Sequence, residues 1–192
     1  MSSSDAEKWN ARYSGAVPAA ANAPVPFLAA NVHRLGSGKA LVLAAGRGRN
    51  AVFLAERGFE VTALDVSDVG LRQCENLAES RGVEVSTVCA DLDDYDLGTE
   101  QFDLITMIYY YEAPLFSSIR EALRPGGHFL FQTFSARHAT VGTFGPKSPN
   151  YLAVISDIQS PFADDHIIHL EDIVISDEGG TEAVIQMIAR KA

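Results

Sequence analysis

The stretch VLAAGRGRN, residues 42–50, sets an apolar run against two glycines, two arginines and an asparagine. Its first half completes ALVLAA (40–45), which reads as a buried strand. Its second half reads as a tight turn opening a helix over Asn50–Arg57. Such a turn leaves backbone N–H groups free at a helix N-terminus beside the carboxyl edge of a sheet. Gly46 and Gly48 let a ligand come close to that backbone. No GxxxxGK[ST] is present, which excludes a nucleotide-triphosphate loop. Gly46-x-Gly48-x-x-Ala51 fits the loose dinucleotide fingerprint, with Asp65 at a suitable distance to bind a ribose.

Working outward, the chain alternates. EVTALDV (60–66), VEVSTVCADL (83–92), FDLITMIYY (102–110) and HFLFQTF (128–134) read as strands, and Asp68–Arg81 and Leu115–Leu123 as helices. This rhythm calls for an α/β fold, a doubly wound and mostly parallel sheet with helices on both faces. Arg124-Pro125-Gly126-Gly127 reads as a turn before the fifth strand. Upstream, Ser2–Ser4 cap a short helix over Asp5–Arg12, SGAVPAAANAPVP forms a linker, and Pro26 opens a helix to about Leu35. Residues 1–26 are thus an arm and linker, and 27–192 a single domain. Within it, 135–165 form a long connection with a short helix near Tyr151–Ile158. HIIHLEDIVIS (166–176) and TEAVIQMIARK (181–191), split by Gly179-Gly180, form a terminal antiparallel hairpin.

Composition excludes several classes. A length of 192 residues suits one domain with a sizeable core. A net charge of −10, from 25 acidic against 15 basic residues, with no Lys/Arg cluster, argues against nucleic acid as a partner. No apolar run approaches the roughly 18 residues of a membrane span, and the start lacks the pattern of a signal peptide. Cys74 and Cys89 make neither a metal set nor a disulfide framework, and a cytoplasmic location fits them. His166 and His169, three apart, fall on opposite faces of a strand and form no metal pair. The sequence leaves the oligomeric state open.

Asp65 ends the second strand and Asp91 the third, so two carboxylates at successive strand ends can take ribose hydroxyls and an adenine amino group. A dinucleotide needs room for its second half, and the chain has little beyond one hairpin. At this point VLAAGRGRNAVFLAERGFEVTALDVS, CADL, FDLI and ALRPGGHFLF together resemble the successive motifs of class I S-adenosylmethionine-dependent methyltransferases. GRGRN, NAVFLAERG and the upstream WNARY are similar to the small bacterial branch of tellurite-resistance and thiopurine-type enzymes. The resemblance covers roughly 8–134. It implies a Rossmann-like seven-stranded sheet whose last strand is antiparallel. Val42, Ala44 and Ala45 stand where that family carries an acidic residue, a glycine and a cysteine.

The resemblance implies S-adenosylmethionine as cofactor and S-adenosylhomocysteine as product. The turn would hold it through Ala44, Ala45, Gly46, Gly48 and Arg49. The next strand ends would contribute Asp65 with Val66, Asp91 with Leu92, and Met107. It further implies that the arm folds over the cofactor with Tyr13 near its carboxylate; a plain staple of Trp9 on Tyr13 is the competing reading. Asn50 is a candidate cap for its helix, Arg47 reads as solvated, and one of Tyr109–Tyr111 should face the site. No metal ligands and no catalytic group stand out. A methyl transfer needs mainly position and a dry cavity. A thiol or chalcogen oxyanion would need no base, whereas an oxygen or nitrogen acceptor could use His138, Glu112 or a tyrosine. The expected function is methyl transfer to a small molecule. The alternatives are an NAD-dependent oxidoreductase, resting on the glycine turn and Asp65, and a non-catalytic binding protein, resting on Val42.

Overall fold

The computed structural model describes residues 3–15 and 22–192, with the side chains of Ser3 and Ser4 outside that description. The capping role expected of Ser2–Ser4 and the middle of the expected linker therefore lie outside the described residues. The chain divides into two compact units, Met1–Leu97 with Phe102–Thr106, and Gly98–Gln101 with Met107–Ala192.

The first unit holds α1 (Ser3–Tyr13), α2 (Pro26–Asn31), β1 (Lys39–Leu43), α3 (Arg49–Ala55), β2 (Glu60–Asp65), α4 (Asp68–Arg81) and β3 (Ser86–Cys89). β1 pairs in parallel with β2 from Lys39↔Glu60 to Leu43↔Leu64, and β2 with β3 from Thr62↔Ser86 to Asp65↔Cys89. Ala40–Leu43 is buried throughout, as an apolar strand covered on both faces must be. α4 starts where Ser67 Oγ accepts the Gly70 N–H at 3.0 Å and stops at Gly82, φ 68°. β3 is shorter than expected: it lies at the sheet's edge, where only β2 supplies a ladder.

β4 (Phe102–Ile108) begins in the first unit and ends in the second. The second unit adds α5 (Leu115–Ala122), β5 (Leu123–Phe134), α6 (His138–Val141), α7 (Ile155–Gln159), β6 (His166–Asp177) and β7 (Gly180–Arg190). β7 runs antiparallel to β5 (His128↔Arg190 to Phe134↔Val184) and to β6, which meets it across Asp177↔Gly180. Strands on both sides explain why Ala183–Ala189 is wholly buried. The core of this unit is aromatic: Phe116 meets Phe129 and Phe131 edge-on, and Phe129 stacks on Phe162. Arg120 closes it with two hydrogen bonds to Asp165, at 2.5 and 3.0 Å.

The sheet order is β3-β2-β1-β4-β5-β7-β6, the mixed seven-stranded α/β arrangement expected. Three local expectations change. β5 begins at Leu123 and includes Pro125, whose missing N–H lies outside the ladder that starts at His128. β4 stops at Ile108 because Tyr109 turns to φ 57°. A bulge between Ile167 and His169 sets His166 opposite Arg190 and His169 opposite Ile188, so the two histidines share a face. Among the described residues no cluster of three or more His, Cys, Asp or Glu side chains is placed to hold a metal, and no helix is long and apolar enough to cross a membrane.

Candidate functional site

In the first unit the chain leaves β1 through three left-handed residues, Ala44 (φ 49°), Gly46 (φ 55°) and Gly48 (φ 80°). The turn is tied to β2 by the Ala45 N–H, which donates to the Leu64 carbonyl at 3.0 Å, and closed by the Gly48 N–H on the Ala45 carbonyl at 3.0 Å. Gly48 is needed twice over, since a Cβ there would also overlap the Cys74 sulfur. Burial pushes the Cys74 thiol up to about 12, so it serves as packing rather than as a nucleophile.

Asp65 organises this turn. One carboxylate oxygen accepts the Gly46 N–H at 2.7 Å and the other the Ser67 N–H at 2.8 Å. The residue is only 6% exposed. Burial raises its pKa, and the bonds from Ser67, Gly46 and Val66 offset part of that rise. The three backbone N–H groups leave this carboxylate about one lone pair for a further donor.

The arm covers the same turn. The Tyr13 hydroxyl lies 2.7 Å from where a Gly46 Cβ would stand, and its ring 2.9 Å from that of Gly70, so both glycines make room for it. Trp9 stacks on Tyr13 at 5.6 Å, as a staple would require. Arg47 is not solvated. Its Nη2 donates to the carbonyls of Tyr13 and Gly15, both at 3.1 Å, and its guanidinium lies over the Tyr13 ring at 5.5 Å. Gln73 Nε2 donates to the Tyr13 carbonyl at 2.6 Å, and Ser67 Oγ to Asn10 Oδ1 at 2.5 Å. Burial first, and the Asp65 charge second, push the Tyr13 hydroxyl up to about 12.

Tyr13, Gly46 and Asp65 thus meet, with Ala44, Ala45 and Gly48 in the same turn. Arg49 is half-buried at the start of α3, and Val66 is half-buried beside Asp65. Asp91 closes its own turn, accepting the Asp93 N–H at 3.0 Å, and Leu92 behind it is buried. Asn50 does not cap α3. Its Oδ1 accepts the Val25 N–H at 3.0 Å and fixes the segment entering α2. Asn10, Gly70 and Gln73 were not singled out by the sequence; the WNARY motif, which contains Asn10, was the available signal.

In the second unit Met107 is fully buried in β4. Tyr109, whose N–H donates to the Gln132 carbonyl at 2.7 Å, places its hydroxyl 2.9 and 3.0 Å from the two Glu182 oxygens. Tyr111 bonds Asp157 at 3.0 Å; burial and that carboxylate push its hydroxyl up to about 12. His138, a candidate to assist an oxygen or nitrogen acceptor, is fully buried. Its Nδ1 accepts the Ala183 N–H at 3.2 Å, so Nε2 carries the proton and donates to the Phe144 carbonyl at 2.6 Å. Both nitrogens are committed to backbone, and His138 holds the 142–145 loop rather than a substrate.

Residues 40–127 match the family described as Methyltransferase domain. Over 68 residues the chain is 40% identical to the uncharacterized methyltransferase YbaJ of Bacillus subtilis (strain 168), which covers 35% of this chain and 27% of YbaJ. The chain thus matches about a quarter of that curated relative's length. The structure is similar to an S-adenosylmethionine-dependent methyltransferase from Mesorhizobium loti, with a TM-score of 0.67 and 22% identity over 86% of this chain and 96% of that one. It is also similar to TehB from Haemophilus influenzae, with a TM-score of 0.71 and 17% identity over 97% of this chain and 67% of that one. At these identities the likeness to the solved structures is one of fold, the class I methyltransferase fold. Together the domain match and the relative point to a methyltransferase domain over residues 40–127, and the solved structures share its fold.

Proposed function

We propose that this chain transfers a methyl group from S-adenosylmethionine to a small-molecule acceptor, with the cofactor bound at the turn after β1. The observation that carries this reading is the buried Asp65 carboxylate, fixed by the Gly46 and Ser67 N–H groups beneath Tyr13. Its remaining lone pair suits a ribose hydroxyl. Asp91 with Leu92 would take the adenine, Val66 would line the cavity, and Ala44, Ala45, Gly48 and Arg49 would supply the close backbone wall. Arg47 Nε and Gln73 Oε1 are buried without hydrogen-bond partners beside Tyr13. A carboxylate and an ammonium, the two ends of a methionine moiety, complement that donor and acceptor. When bound, the sulfonium supplies the methyl group. The protein orients it, and the arm, strapped by Arg47 and Gln73, excludes water.

The tellurite-resistance-type branch remains a proposal resting on GRGRN and NAVFLAERG, and a cytoplasmic location one resting on the free thiols of Cys74 and Cys89. An NAD-dependent reading draws on the same turn and Asp65. Thermal shifts separate the two. S-adenosylhomocysteine at a hundred times its Kd should add about 2.7 kcal/mol of stability, while NAD should add none. The reverse result overturns the proposal.

A further inference from the structure

The arm of the first unit ends on a clasp whose two members are each half used. Helix α1 stops at Tyr13, and the carbonyls of a last helical turn lack partners within the helix. Arg47 and Gln73 supply them. Arg47 Nη2 donates to the carbonyls of Tyr13 and Gly15, both at 3.1 Å, and Gln73 Nε2 to that of Tyr13 at 2.6 Å. The other ends of the same side chains are idle. Arg47 Nε, a donor, and Gln73 Oε1, an acceptor, are buried and find no hydrogen-bond partner among the described residues. Each shares a carbon with the nitrogen that holds the Tyr13 carbonyl, so both lie beside that carbonyl. Unpaired buried polar atoms oppose docking of the arm.

The arm has no apolar anchor to outweigh them. None of residues 5–15 is buried. The arm rests on a stack, with Arg12 over Trp9 at 5.1 Å, Trp9 on Tyr13 at 5.6 Å and Arg47 over Tyr13 at 5.5 Å, and on the hydrogen bond from Ser67 to Asn10 at 2.5 Å. Such an element belongs to the low-stability end of a fold, where a few hydrogen bonds decide its population. The body of the unit is nonetheless shaped to receive it. A Cβ at Gly46 or Gly70 would stand 2.7 or 2.9 Å from Tyr13, so space for the docked arm is built into both the turn and α4.

We propose that Arg47 and Gln73 make docking of the arm conditional on the amino-acid end of the ligand bound at the turn. The proposal rests on the S-adenosylmethionine reading and adds to it a coupling between ligand and arm. Arg47 Nε donates to a bound α-carboxylate, and Gln73 Oε1 accepts from a bound α-ammonium. With those ends paired, the same side chains hold the Tyr13 carbonyl at no cost in unpaired atoms. A ligand with the nucleoside alone reaches Asp65 but leaves both atoms unpaired, which favours the undocked arm. The docked population therefore rises with donor or product and does not rise with a nucleoside that lacks the amino acid. Linkage requires the converse: whatever loosens the clasp weakens the ligand that carries the amino acid and leaves the bare nucleoside unaffected.

Trp9 is the only tryptophan of the chain, so its fluorescence reads the arm directly. The full chain is titrated with S-adenosylhomocysteine and with 5′-methylthioadenosine, a nucleoside thioether without the amino acid, and acrylamide quenching of Trp9 is measured with each. S-adenosylhomocysteine should lower the quenching constant severalfold, and 5′-methylthioadenosine should leave it unchanged. Arg47→Met and Gln73→Met, each checked by thermal melting, keep an unbranched stem and remove the polar ends. Each should weaken S-adenosylhomocysteine by about tenfold or more in calorimetry, the scale of hydrogen bonds to a charged group, and leave 5′-methylthioadenosine within about twofold. The unchanged nucleoside affinity also shows that each variant is folded. Failure of S-adenosylhomocysteine to bind the parent would sink the cofactor reading, and the proposal with it. The proposal alone is overturned if S-adenosylhomocysteine binds but leaves Trp9 as open to quenching as before, if 5′-methylthioadenosine protects Trp9 equally or does not bind, or if the two variants treat both ligands alike.

Discussion

Ala44 after β1 and Tyr109 after β4 both carry side chains in left-handed backbone, and they do so for opposite reasons. Around Ala44 the structure is made of backbone: the Ala45 and Gly48 N–H groups close the turn, and Asp65 accepts the Gly46 N–H. The Ala44 methyl is half-buried. Around Tyr109 the structure is made of side chains. Its hydroxyl joins Gln132 and Glu182 while its ring packs on Phe134. The first turn is a cradle that tolerates its residue; the second is a conformation imposed by the residue it contains.

The largest effect should come from relaxing the second turn. Tyr109→Gly removes the backbone strain but also the ring, and it leaves Gln132 and Glu182 without their shared partner. Lost packing and unpaired buried groups should outweigh the relief, destabilising the fold by roughly 2–4 kcal/mol in denaturant unfolding. A stability equal to the parent's would show that the network is incidental.

Next in size is the carboxylate of the first turn. Asp65→Ala deletes the acceptor proposed for the ribose and frees the Gly46 and Ser67 N–H groups. Hydrogen bonds to a charged group contribute roughly 1.5–3 kcal/mol, so S-adenosylhomocysteine affinity should fall by about ten- to a hundredfold or more. Because Asp65 is buried and fixes the turn, part of that loss should appear as lower thermal stability, and titration calorimetry alongside melting separates the two. Unchanged affinity would place the cofactor elsewhere.

A smaller effect concerns pH. Asp65 holds its proton more tightly folded than unfolded, because burial disfavours the ionised form. Between the ordinary aspartate value and its raised value, the folded state binds more protons than the unfolded chain, so this group's contribution to stability falls as pH rises through that window. Asp65→Asn should remove the slope. A ribose hydroxyl favours the ionised form, so cofactor affinity should weaken as pH falls through the same window. Parallel melting curves for parent and Asp65→Asn from acid to neutral pH would contradict both.

The comparison also explains what could be read from residues alone. The cradle is local: Gly46, Gly48 and the strand-ending Asp65 lie within one β-α-β unit, and glycine at positive φ leaves a mark in sequence. The α4 boundaries were legible for the same reason, through Ser67 and Gly82. The burial of Asp65 was not, because it depends on Tyr13 arriving from the arm. The second network draws on residues 109, 132 and 182, and Glu182 in a terminal strand looks like any solvated charge until the sheet order sets β7 beside β5. His138 was misread for a related reason. Its partners, Ala183 and Phe144, are supplied by a strand and a loop that its own neighbourhood does not announce. Even the facing of His166 and His169 turned on one inserted bulge residue.

The smallest predicted effect is the most pointed test of the cradle. Ala44 at φ 49° bears a Cβ close to the following carbonyl, which disfavours the left-handed region by roughly 1–2 kcal/mol for a residue other than glycine. Ala44→Gly removes that strain and adds backbone freedom to the unfolded chain, which opposes the gain by roughly 0.5–1 kcal/mol. The methyl is half-buried and outside the fully buried core, so little packing is lost. The net should be a stabilisation of about 0.5–1 kcal/mol, read as a shift in the denaturation midpoint without a change in slope. S-adenosylhomocysteine affinity should hold or tighten slightly, because the turn keeps its hydrogen bonds and gains room. Ala44→Val should do the reverse, since a β-branched side chain tolerates this region least. If Ala44→Gly instead lowered stability, the methyl would be part of the turn's packing, and the contrast with Tyr109 would fail.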